Sequence, residues 1–247
     1  MATEQVLPCV YKIGMGYVNA FLLVGDDVAV VDSGLPNHLN VITEAIAVAG
    51  RKLEDLKHAL LTHHHADHTG SLSAVMVATG AQAYIHPLDA PIVRGEKAAP
   101  GPNTTIMAGR LLGPIMQRLT PKLAPITELQ TVNDGERLDI AGGVTVVHTP
   151  GHTAGHVAYL WPEQGGVLFA GDAAGNVFGL GAPTGMVGGM FTEDIPAARE
   201  SFRRLAELEF STACFGTSVN CSIVRPPIPI VTCWLSSNAT PGLSSSR

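Results

Sequence analysis

The run Thr62-His63-His64-His65-Ala66-Asp67-His68-Thr69-Gly70 constrains this chain more than any other stretch. It follows the short apolar segment His58–Thr62, which reads as a β-strand, so the spacing H-x-H-x-D-H falls where a strand gives way to a loop. Residues two apart in extended chain project to the same side, so His63 and His65 can bind one ion together. Asp67 and His68 lie just beyond and can turn toward a neighbouring position. Imidazole with carboxylate suits zinc, with iron or manganese as alternatives. His64 points away from its neighbours and reads as structural. A histidine-rich surface loop is the competing reading, and the apolar lead-in argues against it.

Two later segments repeat the arrangement. The strand-like Gly143–Val147 runs into His148-Thr149-Pro150-Gly151-His152-Thr153-Ala154-Gly155-His156, and Val167–Ala170 runs into Gly171-Asp172. Each places a ligand-type side chain at a strand end beside glycine, where backbone can approach a metal closely. His38, His58, His86 and His148 fall in no such pattern.

Between these motifs the chain alternates strand and helix signals. Tyr17–Val24 and Val28–Asp32 read as strands joined by Gly25-Asp26-Asp27. A helical apolar period follows from Leu39 to Ala49, with Asn37 before it and Gly50 after it. Thr69–Ala78 reads as a helix, Ala81–His86 as a strand, Val157–Trp161 as a strand, Thr192–Leu208 as an amphipathic helix and Ser211–Phe215 as a strand. Mixed α/β layers are expected. Residues 87–125 hold seven prolines and two apolar runs, Ile106–Leu112 and Ile115–Leu119, and read as a mostly helical insertion that either covers a site or runs over the surface.

Composition narrows the partners. The 247 residues are 46 % hydrophobic and only 15 % charged, with formal net charge −6, against about 25 % charged for an average soluble domain. Such a chain is expected to bury a sizeable core. Mild acidity provides no pull toward nucleic acid or an anionic membrane, and 5 % aromatic content leaves little material for stacking bases. No apolar run approaches the ~20 residues of a membrane-spanning helix, and no basic and apolar leader opens the chain. Cys9, Cys214, Cys221 and Cys233 have no C-x-x-C spacing. The expectation is a cytoplasmic protein with reduced thiols that acts on a small-molecule substrate.

Taken in order, Val31-Asp32-Ser33-Gly34, the H-x-H-x-D-H run, His152 and Asp172 resemble the motifs of the metallo-β-lactamase superfamily of metal-dependent hydrolases. The pattern is most similar to the glyoxalase II-like members, and covers roughly residues 6–216. The resemblance implies an αββα four-layer sandwich with metals in a cleft at one edge of the two sheets. It implies one metal on His63, His65 and His152, a second on Asp67 and His68, and Asp172 as the bridge. It further implies hydrolysis of an ester, thioester, lactone or similar bond by a metal-activated water, with Asp67 orienting the nucleophile and carrying a proton. Asp32 would hold a ligand in place, and His156 would contact substrate or support a ligand.

The family's last histidine, expected after Ser211–Phe215, is missing: Phe215-Gly216 is followed by Thr217, and no histidine occurs after His156. From Thr217 to Arg247 the only charges are Arg225 and Arg247. Residues 217–247 therefore read as an atypical tail, disordered or out of frame, attached to a domain of residues 1–216. The second metal is expected to bind more weakly than the first. Two alternatives accompany the hydrolase reading: a mononuclear iron enzyme resembling the persulfide dioxygenases, and a catalytically impaired metal-binding relative. Acyl-homoserine lactonases of the superfamily carry a tyrosine shortly after the bridging aspartate, whereas Tyr11, Tyr17, Tyr84 and Tyr159 all precede Asp172.

Overall fold

The structure is a computed structural model that describes residues 2–175, 189–217 and 223–224. Its first sheet has seven strands in sequential order: β1 (Ala2–Leu7), β2 (Val10–Met15), β3 (Val18–Val24), β4 (Val28–Val31), β5 (Leu56–Leu60), β6 (Gln82–Ile85) and β7 (Leu129–Thr131). β1 to β4 pair antiparallel, and β4 to β7 pair parallel. The parallel half needs crossovers, which α1 (Leu39–Val48) and α2 (Leu72–Thr79) provide. The second sheet comprises β8 (Arg137–Leu138), β9 (Val144–His148), β10 (Val157–Trp161), β11 (Val167–Gly171), β12 (Thr212–Phe215) and β13 (Ile223–Val224), with α5 (Ile195–Ala206) crossing between the parallel β11 and β12.

Three apolar clusters show four layers. In β3, Ala20 and Leu22 pack with Ile42, Ile46, Leu72 and Val75 of the helices, while Phe21 and Leu23 face the second sheet. In β4, Val28 and Val30 face the helices, and Ala29 and Val31 face the other way. Both faces are buried, so these strands are unbroken apolar runs rather than alternating ones. Between the sheets Phe21 and Phe169 meet at 5.7 Å between ring centroids. On the far side Leu168, Ala170 and Phe215 pack against Phe202 and Leu205 of α5. The order is helices, sheet, sheet, helix: the expected αββα sandwich.

Several boundaries differ from the expectation. β1 and β2 precede the first strand read from sequence. The α1 N-cap is His38, because Asn37 takes a left-handed φ of 64° and lies in the turn. In the insertion only α3 (Ala90–Val93) and α4 (Met107–Leu119) are helical, so the segment is not mostly helix. Pro100, Pro102, Pro121 and Pro125 lie in its irregular stretches, where they can donate no backbone hydrogen bond. The two apolar runs form a single helix, α4, which continues across Pro114. The supposed tail also begins with ordered pairing: Thr217 bridges Val18, and β13 joins β12. The rest of 217–247 lies outside the described residues. Among the described residues no helix is long and apolar enough to cross a membrane.

Candidate metal centre

Both sheets deliver side chains to one edge, at the carboxyl ends of β4, β5, β9, β11 and β12. Asp32, just after β4, adopts a left-handed φ of 59°, a conformation aspartate tolerates better than most residues. Its carboxylate accepts hydrogen bonds from Thr62 N at 2.8 Å, Thr62 Oγ1 at 2.9 Å and His68 Nδ1 at 2.8 Å. Thr62 Oγ1 also lies 2.9 Å from His63 Nδ1. The hydroxyl's single proton goes to the carboxylate, which can only accept, so His63 Nδ1–H donates to the hydroxyl. The His63 tautomer is thereby set, and its Nε2 lone pair is left free. Buried His63 Nε2 has no hydrogen-bond partner.

Around that atom the other donors converge. Donor atoms of His63, His65 and His152 all lie within 4.8 Å of one another, as do those of His63, His68 and Asp172. His65 Nδ1 and His152 Nε2 are 3.1 Å apart. Asp172 Oδ2 sits 3.4 Å from both His68 Nε2 and His152 Nε2, between the two groups. His68 Nε2, His152 Nδ1 and Asp172 Oδ1 are likewise buried without a partner. Buried polar atoms seldom go unpaired, and imidazole nitrogens with a carboxylate form a donor set suited to zinc. The residues therefore fit a metal ion on grounds of their own.

Charge states agree with this. Removal from water holds His63 and His65 well below the ordinary imidazole value, aided by neighbouring histidines. Burial lowers His152 as well, against the opposing pull of Asp172. These rings are neutral at physiological pH and can offer lone pairs. Burial also pushes His68 toward neutrality, but Asp172 and Asp32 outweigh it and hold this ring well above its ordinary value. For Asp172, burial favours the neutral acid, yet the charged His68 ring keeps it ionised.

The remaining expected residues take different places. Asp67 belongs to neither donor group; it shares a cavity wall with Tyr17, whose phenol is raised by burial and by the charge of that carboxylate. His156 does not face the cavity beside the donor groups. Its Nε2 accepts from Asp172 N at 3.0 Å and its Nδ1 donates to Thr149 Oγ1 at 2.7 Å, with burial lowering the ring to about 3. Its Nε2 thus holds the backbone of Asp172. Gly171 permits this: at φ 53°, a Cβ there would stand 2.7 Å from His156 Nε2 and 2.8 Å from Thr62. Thr217, where the last histidine was expected, donates through Oγ1 to Asp172 Oδ2 at 3.1 Å.

Two residues were not singled out in the sequence. Tyr17 had no motif around it. Asp89 accepts from His64 N and Nδ1, each at 3.0 Å, from Thr153 Oγ1 at 2.8 Å and from Gly155 N at 2.8 Å. It joins the loop after β5 to the loop after β9. Gly155 is required there, since a Cβ would lie 2.5 Å from Asp89 Oδ1. His64, read as structural, bonds to Asp89 through N and Nδ1, while its buried Nε2 has no hydrogen-bond partner.

The family profile described as the metallo-beta-lactamase superfamily matches residues 13–217. The chain belongs to that superfamily. Among curated relatives, a hydroxyacylglutathione hydrolase of Pseudomonas aeruginosa is 32 % identical over 164 residues, covering 66 % of this chain and 47 % of the relative. The chain thus spans about half the length of that relative. The probable metallo-hydrolase YflN of Bacillus subtilis is 28 % identical over 189 residues, covering 72 % of this chain and 70 % of YflN. Among solved structures, Rm3 metallo-beta-lactamase aligns with a TM-score of 0.68 at 22 % identity, over 88 % of this chain and 78 % of that one. At that identity the likeness concerns the fold.

Proposed function

We propose that the chain is a zinc-dependent hydrolase of an ester, thioester or similar acyl bond. The observation that carries the reading is the convergence of His63, His65, His152 and Asp172 around orphaned buried donor atoms. The name of the hydroxyacylglutathione hydrolases, to which the chain is similar, denotes hydrolysis of an acylated glutathione and puts a thioester among the candidate bonds.

His63, His65 and His152 would hold one zinc, with Asp172 reaching both groups. When bound, such an ion supplies a lowered pKa for water and polarisation of the scissile carbonyl. The protein does the rest. Asp32 and Thr62 hold the rings of His63 and His68, and His156 holds the backbone of Asp172. Asp67 lines the cavity beside His65, His152 and Asp172, where its carboxylate can take a proton from attacking water and return it to the leaving group. Tyr17 lines the same cavity. At Asp172 the described residues supply the hydroxyl of Thr217 where the resemblance implies a last histidine, so a second zinc binds more weakly than the first.

Turnover of a chromogenic acetate ester by zinc-loaded protein tests the reading. Chelation and His63→Ala should each lower the rate by at least about a hundredfold, with zinc restoring the chelated wild type. Turnover that survives both treatments would overturn it.

A further inference from the structure

Two cavities open beside the donor groups and share His65 and Phe191 in their walls. The first, about 550 Å3, includes Lys97, Gln117 and Lys122 in its lining. The second, about 420 Å3, contains His65, Asp67, His152 and Asp172 and is otherwise walled largely by Leu35, Pro36, Met116, Leu119 and Phe191. Among the described residues no Lys or Arg lines this second chamber. Its size is within the range of small-molecule sites, about 300–1,000 Å3. Its aliphatic and aromatic walls favour an uncharged hydrocarbon.

We propose that this chamber receives the apolar acyl chain of the substrate, a chain several carbons longer than acetyl, with the polar leaving group lying toward the lysine-lined cavity. The inference rests on the hydrolase reading and gives it a substrate class. α4 is the element that decides chain length. Leu119, at its end, is 70 % exposed, so an entering chain covers apolar surface that is otherwise wet. Met116, one turn earlier on the same cavity wall, has an unbranched, adaptable side chain that can follow chains of different length.

The test is a series of p-nitrophenyl esters from acetate to octanoate on the zinc-loaded protein. The value of kcat/KM should rise by about fourfold per added methylene, the effect of burying one such group, until the chamber is full. Leu119→Asp should flatten the series. Leu111→Asp, on the same helix but outside the chamber and 69 % exposed, should leave its slope unchanged. A flat or falling wild-type series would overturn the proposal, and so would a wild-type slope in Leu119→Asp. Calorimetric titration with octanoate and with acetate separates the two readings. If no ester turns over but octanoate binds at least about tenfold more tightly than acetate, the hydrolase reading fails and the chamber stands. Equal binding of the two acids overturns the chamber.

Discussion

Asp89 shows how much of the centre is held by residues that touch no metal. Burial favours its neutral acid, but hydrogen bonds from His64, Thr153 and Gly155 outweigh this and hold the carboxyl below its ordinary value. A carboxyl depressed in the folded state contributes stability that is complete above its unfolded pKa, about 3.9, and is lost as pH falls through the lower folded value. Asp89→Asn should therefore destabilise the protein by about 1–3 kcal/mol at pH 7, and by much less once the medium is acid enough to protonate Asp89 in the folded state. Denaturant unfolding of both proteins at pH 7 and pH 3 measures this; a penalty that persists unchanged at pH 3 would contradict it. At this scale the histidines were legible because their offsets are local, although β5 ends at Leu60 and His63 and His65 project from the loop that follows it. Asp89 and Tyr17 were not, because their partners are remote in the chain. Asp89 meets Gly155, and Tyr17 shares a cavity wall with Asp67. The role of Asp67 was legible only in part, since proximity in sequence to His68 did not place it among the converging donors.

Among the elements, the paired apolar runs of β3 and β4 could be read because burial on both faces leaves them without polar interruptions. β1 and β2 carry weaker signals, with several half-exposed or exposed positions in each. Local pattern also failed at Pro114, where two apolar runs that a proline separates continue as one helix. α5 links an element to the centre most directly. Asp194 caps it by accepting from Ala197 N at 2.9 Å. The same turn donates from Asp194 N to Gly151 O and from Glu193 N to His152 O, and Ser201 Oγ donates to Pro150 O at 2.7 Å. Asp194→Ala should cost about 1 kcal/mol of stability and, through the loop bearing His152, weaken zinc binding. Chemical denaturation with a zinc titration reads both, and wild-type values in each would contradict the coupling.

On the scale of the whole molecule, the centre exists only because two sheets meet at one edge. The first contributes Asp32, His63, His65 and His68; the second contributes His152, Asp172 and Thr217. Cross-links hold that edge together: Asn19 N donates to Gly216 O at 2.7 Å, and Val157 N to Thr62 O at 2.8 Å. The layered architecture was legible from strand and helix alternation together with motif order. The chamber under α4 was not, since it is built from β-to-helix loops, the insertion and Phe191, which no local pattern relates. The most direct test is calorimetric titration of metal-free protein with zinc, in wild type, His65→Ala and His152→Ala. One tightly bound zinc with a second at least about tenfold weaker is expected, and loss of the tight one in both variants, because each sheet supplies part of it. Two zincs of equal affinity in the wild type, or a tight zinc that survives either substitution, would contradict the account.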